Sequence, residues 1–541
     1  MENQIVDADQ VMPEVRHGHH TRIVCWYVLL VLLFFLAALI TVITYWAGTT
    51  FGVGFNEIIH TLASPLQGTS MDTIRPALQT CLPPLAAVAA FIVWDCRLRA
   101  RIATAPEENT ALAHRRRVRN RVVSGVGVVL LTCSLLYANA RYDIIGYLAN
   151  LKMTTALYKN EYIDPASALI TPEGTAKNVI CIYLESMENT YASVAAGGAQ
   201  AINYIPNLTA LAAENVSFSN TEKLGGLHSA YGTGWTMGAL FASTSGVPFA
   251  FPVSGNDMQK QAQFASGIAT LGDFLAARGY AQEFLCGSDA TFAGRRTYYQ
   301  QHGNYNIYDY STAIQNGDIA PSYHVWWGFE DQILYRIARK ELLRLATASQ
   351  PFNFTMLTAD THHIDGYVCS LCRDNYPQQT ANVVACADRQ AAAFIDWCRQ
   401  QDFFDNTVIV IMGDHPRMDT SLVSDIKLAD RMVYNCFINA SFDSQPRTVN
   451  RDATSMDMFP TILSSMGYSI DGDRLGLGTN LFSKRKTLTE KFGYDDFNAA
   501  LAQNSDYYVA NFAPELLAPA AVPSAAAESA LSASSAVSTA P

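Results

Sequence analysis

Residues Ile23 to Trp46, IVCWYVLLVLLFFLAALITVITYW, contain no charged side chain. An uninterrupted apolar run of this length crosses a bilayer as a helix, which satisfies its own backbone hydrogen bonds where no water is present. RPALQTCLPPLAAVAAFIVWDC (Arg75 to Cys96) and VVSGVGVVLLTCSLLYANA (Val122 to Ala140) are weaker versions of the same pattern. Pro83 and Pro84 kink the second run, which membrane helices tolerate when neighbours satisfy the freed backbone groups. A cleaved leader peptide is a poor reading, because the first run is too long and two more follow. The expected organisation is therefore a cytoplasmic N-terminus (1–22) and a transmembrane region (23–140) with spans near 23–46, 75–96 and 122–140.

Arginine sets the orientation. Eight arginines lie between Arg97 and Arg121, whereas Ile23 to Ile74 contains no Lys or Arg. Positive loops stay in the cytoplasm, so the chain beyond Ala140 is expected outside it. With 49% hydrophobic residues and a formal net charge of -11, the chain as a whole fits neither general disorder nor a nucleic-acid partner.

Beyond the spans, residues 141–177 read as a connector. From Asn178 short apolar runs alternate with helical patterns. NVICIYL (Asn178 to Leu184), FNFTMLT (Phe352 to Thr358) and NTVIVIM (Asn406 to Met412) are rich in β-branched and aromatic residues and predict buried strands. Helical patterns such as GIATLGDFLAARG and DRQAAAFIDWCRQQ intervene, which predicts an α/β domain with a largely parallel sheet over 178–490. Residues 491–541 read as a tail, disordered from about 513, where Ala, Ser and Pro dominate.

In open parallel sheets ligands gather at the carboxyl ends of the strands. There the chain delivers Glu185, the pair Asp414-His415 after Gly413, and Asp360, His362 and His363. Glu185 could equally cap a following helix, and either histidine could be a hydrogen-bonded loop residue. Asp414-His415 at the end of a buried strand reads better as a ligand pair. Oxygen and nitrogen donors without thiolates suit Mn²⁺ or Mg²⁺ at least as well as Zn²⁺.

In YGTGWTMGALFAS, Thr233 stands between two glycines just before an apolar run. It is either a helix cap in a glycine turn or a nucleophile held at a helix N-terminus. A Thr hydroxyl needs a base or a metal near neutral pH, and a cation on Glu185, Asp414 and His415 could supply that activation. The flanking glycines would let a tetrahedral phosphate approach.

Seven of the 11 cysteines (Cys181, Cys286, Cys369, Cys372, Cys386, Cys398 and Cys436) follow the spans. Disulfides are possible in an oxidising compartment, and an odd number leaves at least one thiol free, with Cys181 the obvious candidate. CSLC at Cys369 to Cys372 has no matching second Cys-x-x-Cys, so a redox or zinc pair is disfavoured.

The segments YLESMENTY, GTGWTMGALFAS, TADTHHIDGYV and GDH, in this order, resemble the lipoteichoic-acid-synthase-like and phosphoglycerol transferase I branch of the alkaline phosphatase and sulfatase superfamily. The resemblance runs from the first span to about Ser483. It implies an alkaline phosphatase-like sulfatase fold, and it matches Thr233 to the nucleophile and metal contact, with Glu185, Asp414 and His415 as the other metal ligands. Arg295, in GRRTYYQQHG, falls where such synthases bind the phosphoglycerol group, and His362 matches a substrate-contacting proton carrier. Cys372 and Cys386 would form a disulfide.

The family activity implied is transfer of glycerophosphate from phosphatidylglycerol to an extracytoplasmic glycan or glycerol hydroxyl. The metal is expected to be Mn²⁺, with Mg²⁺ or Zn²⁺ possible. The enzyme would be a multi-pass protein of the bacterial inner membrane with a periplasmic catalytic domain. The same site could serve phosphoethanolamine transfer or phosphodiester hydrolysis, and an inactive receptor or scaffold is a weaker alternative. Sulfatase chemistry itself is disfavoured, because TSGVPFAF lacks the arginine of the C/S-x-P-x-R pattern.

Overall fold

Three long helices carry the apolar runs in a computed structural model that describes residues 14–51, 55, 58–59, 71–103, 110–175, 177–253, 257–442 and 444–517. They are α1 (Glu14–Thr50), α2 (Met71–Ala103) and α3 (Thr110–Tyr142). Val28–Thr50, Ala77–Asp95 and Val118–Tyr142 are long and apolar enough to cross a membrane. Leu29, Leu32 and Leu36 of α1 and Leu135 and Leu136 of α3 are exposed, as lipid-facing side chains would be. Polar and small residues join the helices instead. Ser134 Oγ donates to the Ala37 carbonyl at 3.0 Å and meets Thr41 Oγ1 at 2.7 Å. At Gly127 an added Cβ would lie 3.2 Å from the Phe34 ring. Small residues and hydroxyls are the usual glue where lipid removes the hydrophobic driving force.

The described residues divide into two units, the first built on these helices and the second on residues 150–417 and 421–517. The second unit is organised by a six-stranded sheet of β1 (Asn178–Leu184), β2 (Ala281–Cys286), β3 (Asn306–Tyr308), β4 (Phe352–Leu357), β5 (Thr407–Gly413) and β6 (Asn435–Ile438). The spatial order is β3-β2-β4-β1-β5-β6, parallel throughout except for the antiparallel edge strand β6. Every residue of β1, β4 and β5 is buried. A parallel sheet covered on both faces requires this, and it explains why these strands read as continuous apolar runs.

Successive side chains point to opposite faces, so one strand feeds two cores. Val179, Cys181 and Tyr183 of β1 join one apolar cluster, and Ile180, Ile182 and Leu184 join the other. The first cluster takes in α4 (Thr236–Ser245), and the second α6 (Asp331–Ala346) and α7 (Gln379–Cys398), with α5 (Arg295–Gln301) lying earlier in the chain. The class anticipated from the alternating pattern is the class observed.

The domain does not end at 490. Helices α8 (Tyr494–Leu501) and α9 (Asp506–Phe512) bury Phe497, Leu501, Tyr508 and Phe512 in the first cluster. The Tyr158 hydroxyl, from the expected connector, donates to the Leu501 carbonyl at 2.9 Å. The Tyr158 ring meets Tyr508 at 5.0 Å. Ala513 is also buried, and the 518–541 part of the stretch expected to be disordered from about 513 lies outside the described residues.

The expected Cys372–Cys386 bridge is not formed. Cys369, Cys372 and Cys386 are free thiols, with Cys369 Sγ 3.7 Å from Cys372 Sγ and 3.8 Å from Cys386 Sγ. Cys369 stands beside both partners of the expected pair. Cys181 is free and buried in β1.

The loop after β1 is anchored by a fully buried ion pair. Arg431 donates through Nη2 to Glu188 Oε1 at 2.6 Å and through Nε to Oε2 at 2.8 Å. Removing one partner of such a pair strands a charge in the interior, at about 3–5 kcal/mol. Glu188→Ala is therefore expected to lower the thermal midpoint of the purified protein sharply. A midpoint within a degree of wild type would show that the pair is dispensable.

Candidate metal centre and active site

Three strand ends build the centre. β1 runs directly into Glu185, and β5 into Asp414 and His415, so adjacent parallel strands deliver both carboxylates and the imidazole to one edge. Gly413 makes the join possible, since a Cβ there would lie 1.9 Å from the Met187 carbonyl oxygen. Ser186 links the two acids: its N–H donates to Asp414 Oδ1 at 2.7 Å and its hydroxyl to Glu185 Oε1 at 2.7 Å. The loop after β4 closes the third side. Thr358 Oγ1 accepts the Glu185 N–H at 2.9 Å, and Thr361 Oγ1 donates to the Glu185 carbonyl. The buried Arg417 guanidinium donates to the Thr361 carbonyl at 2.8 Å, holding the β4 and β5 loops together.

One ligand atom each from Glu185, Asp414 and His415 lies within 4.8 Å of the others, and all three residues are buried. His415 Nε2 is 3.6 Å from Glu185 Oε1 and 3.4 Å from Asp414 Oδ2. Its Nδ1 meets the Pro416 carbonyl at 2.8 Å, so Nδ1 carries a proton and Nε2 is the nitrogen that faces the acids. Asp414 Oδ2 is buried without a hydrogen-bond partner.

Burial pushes the Asp414 carboxyl up to about 7, with the Glu185 charge adding to the shift. Burial also raises Glu185, but the His362 and His415 imidazoles outweigh it and leave that carboxyl below its usual range. Burial lowers His415, while Asp414 and Glu185 more than compensate and raise it. Two acids and an oriented imidazole, with one buried oxygen unpaired, fit a divalent cation with hard or borderline character.

The hydroxyl beside this cluster belongs to Thr236. Its Oγ1 lies 3.3 Å from Glu185 Oε2 and 3.4 Å from His415 Nε2. Thr236 is the first residue of α4, half-buried, where the positive end of the helix dipole favours an oxyanion. Thr233 is not in the cluster. Its hydroxyl accepts the Ala230 N–H and donates to the Ala230 carbonyl, both at 2.9 Å, and it is 1% exposed. The glycine turn around it is structural: Gly232 has φ +76°, and a Cβ there would meet the Phe249 carbonyl oxygen at 2.7 Å. Sequence reasoning took the glycine-flanked threonine, whereas the helix begins three residues later.

His362 lies close enough to Glu185 to interact with its charge, and Arg295 is reached from His362 through a row of aromatic rings. His362 Nδ1 meets the His363 carbonyl at 2.7 Å, leaving its Nε2 available, and the two rings stack at 4.2 Å. Burial holds His362 below its usual pKa, against the pull of Glu185. Arg295 opens α5, with Nε on the Phe292 carbonyl at 3.1 Å and Nη2 on Ser288 Oγ at 3.1 Å and the Asp289 carbonyl at 2.9 Å. An aromatic pair that sequence reasoning missed connects the two. The Arg295 guanidinium is 5.6 Å from the Phe292 ring, Phe292 is 5.8 Å from Trp327, and Trp327 is 4.8 Å from His362.

A family model described as Sulfatase matches residues 177–468, which span β1 through the strand ends that build the centre. The chain belongs to the sulfatase family. Its fold is the alkaline phosphatase-like sulfatase fold, with a mostly parallel central sheet and apolar helices N-terminal to it.

Among curated relatives the chain is similar to phosphoglycerol transferase I of Salmonella choleraesuis (strain SC-B67), at 30% identity over 466 residues, 83% of this chain and 56% of the relative. The Salmonella typhimurium protein of the same name is 29% identical over the same shares. The chain thus spans about half the length of the curated relatives it matches. Among solved structures, lipoteichoic acid synthase LtaP from Listeria monocytogenes aligns at 18% identity and TM-score 0.45, covering 57% of this chain and 75% of that one. The lipooligosaccharide phosphoethanolamine transferase EptA from Neisseria meningitidis aligns at 14% and TM-score 0.43, covering 80% and 83%.

Proposed function

We propose that the chain is a membrane-anchored phosphoglycerol transferase that moves glycerophosphate from phosphatidylglycerol to an extracytoplasmic glycan or glycerol hydroxyl. The observation carrying this reading is the Thr236 hydroxyl at the start of α4, within 3.4 Å of Glu185 and His415. The name of the curated relatives supplies the transferred group. Apolar helices suit a lipid donor, because anchoring beside the bilayer raises its effective concentration.

Glu185, Asp414, His415 and Thr236 would hold the cation, with Mn²⁺ the first candidate. Such an ion lowers the pKa of a neighbouring hydroxyl and offsets phosphate charge. Thr236 Oγ1 attacks phosphorus, the bond to the diacylglycerol oxygen breaks, and glycerophosphate is held as an ester on Thr236. His362 Nε2 takes the Thr236 proton and passes it to the leaving diacylglycerol oxygen, and later takes the acceptor hydroxyl's proton and returns it to Thr236 as that ester bond breaks. With Nε and Nη2 of Arg295 engaged by its own loop, Nη1 is left to bind a phosphate oxygen. Phe292 and Trp327 exclude water from the space between Arg295 and His362.

The test is incubation of detergent-purified protein and Mn²⁺ with mixed vesicles whose phosphatidylglycerol and phosphatidylethanolamine head groups carry different labels. Diacylglycerol release with phosphoglycerol label on Thr236 is the expected result. Label arriving only from phosphatidylethanolamine would replace this reading with phosphoethanolamine transfer. Arg295→Ala is expected to raise KM for the phosphoglycerol donor about 10–100-fold with a smaller change in kcat. A loss confined to kcat would remove Arg295 from ground-state binding.

A further inference from the structure

Besides the centre at Glu185, one other group of potential metal ligands stands out among the described residues: Cys369, Cys372 and Cys386. Two of these thiols come from the loop between β4 and α7 and the third from α7 itself, so the fold converges them from separate elements. Their sulfurs all lie within 4.8 Å of one another, with Cys369 at 3.7 Å from Cys372 and 3.8 Å from Cys386. A tetrahedral zinc ion with bonds of about 2.3 Å holds its sulfurs about 3.8 Å apart.

The surroundings favour thiolates. Gln390, one turn beyond Cys386 on α7, directs its amide nitrogen to Cys386 Sγ at 3.5 Å and to Cys369 Sγ at 3.8 Å. Amide N–H groups aimed at sulfur are the usual outer support of a thiolate–metal site. Arg389 reaches back over the same loop, its Nη2 donating to the Leu371 carbonyl at 3.3 Å. A fixed positive charge therefore lies beside a site whose three thiolates would exceed a divalent ion by one negative charge. Cys369 and Cys386 are buried and Cys372 is half-buried, so a fourth position has access to water.

We propose that Cys369, Cys372 and Cys386 bind a thiophilic divalent cation of the zinc type through three thiolates, at a structural site separate from the centre at Glu185. Binding releases the three thiol protons to solvent and forms three metal–sulfur bonds. Because His362 and Cys369 share one loop, an ion here pins that loop to α7 and fixes the position of His362. The Gln379 side chain, donating to the Gly366 carbonyl at 2.8 Å, already ties the same two elements together.

The probe is Co²⁺, added without oxygen to the reduced full-length protein in detergent. Thiolate-to-cobalt charge transfer in the near ultraviolet is expected to saturate at one ion per chain and to vanish on adding Zn²⁺. The oxygen and imidazole donors at Glu185 cannot produce that band. Cys369→Ser should abolish it, and Gln390→Ala should keep it while weakening the ion about tenfold. Independently of any variant, Zn²⁺ should protect these three cysteines of the wild-type protein from alkylation, as read by mass spectrometry. Absence of the band from the reduced protein, or alkylation unchanged by Zn²⁺, would overturn the proposal. Isolation of the protein with two of the three bridged, together with no uptake of Co²⁺ after reduction, would assign the cluster to disulfide chemistry instead.

Discussion

With phosphatidylglycerol as donor, Thr236→Ala is expected to lose about 10⁴-fold or more in kcat, while Thr233→Ala keeps its rate within about tenfold. The stabilities should run in the opposite order. Thr236 is half-buried and its hydroxyl satisfies no backbone group in its own turn, so its removal should leave thermal unfolding close to wild type. Thr233 is buried and pairs with both backbone groups of Ala230. Its removal leaves a buried N–H unpaired, at about 1–3 kcal/mol. Steady-state rates, thermal midpoints and peptide mapping of the labelled ester on the two variants separate the roles. An active Thr236→Ala protein, or ester found on Thr233, would return the nucleophile to the glycine turn.

The two residues between these threonines mark where sequence reading stops. Strands β1, β4 and β5 were legible because both of their faces are buried, so each is a plain apolar run. Their ends then exposed Glu185, Asp414 and His415 as a group. Strands β2 and β3 were not legible, because AQEFLC carries Gln282 and Glu283 into the interior. The fold pairs them there, Glu283 with Arg344 and Asn306, and the Gln282 amide with the Gly272 and Gly303 carbonyls. No local pattern announces a buried carboxylate whose partner lies on a helix sixty residues away. Thr233 was chosen on its glycines, yet Gly232 serves a turn packed against Phe249, and the residue that starts the helix faces the acids. The last helices were missed for a related reason. Each is short, and their buried faces make sense only against Tyr158, far off in the sequence. Trp327 carries no motif, and only the fold brings it between Phe292 and His362.

Metal affinity at the centre is expected to rise with pH up to about 7, and Asp414→Asn to weaken the ion by about 100-fold or more while removing nearly all turnover. An unfolded chain releases the Asp414 proton near 3.9, whereas burial delays its release in the metal-free native state to about 7. Between those values the native state holds more protons than the unfolded chain, so this group's contribution to stability falls as pH rises and levels off above about 7. A divalent ion competes for the same oxygen, which makes binding tighter as the proton leaves. Asparagine has no such proton. In chelator, the mutant's thermal midpoint relative to wild type should therefore climb between pH 4 and pH 7. With saturating Mn²⁺ the order should reverse, because only the wild type gains the binding energy. Parallel midpoint curves in chelator would mean that Asp414 is ionised at no cost in the empty centre, and equal Mn²⁺ stabilisation of both proteins would remove Asp414 from the ligand set.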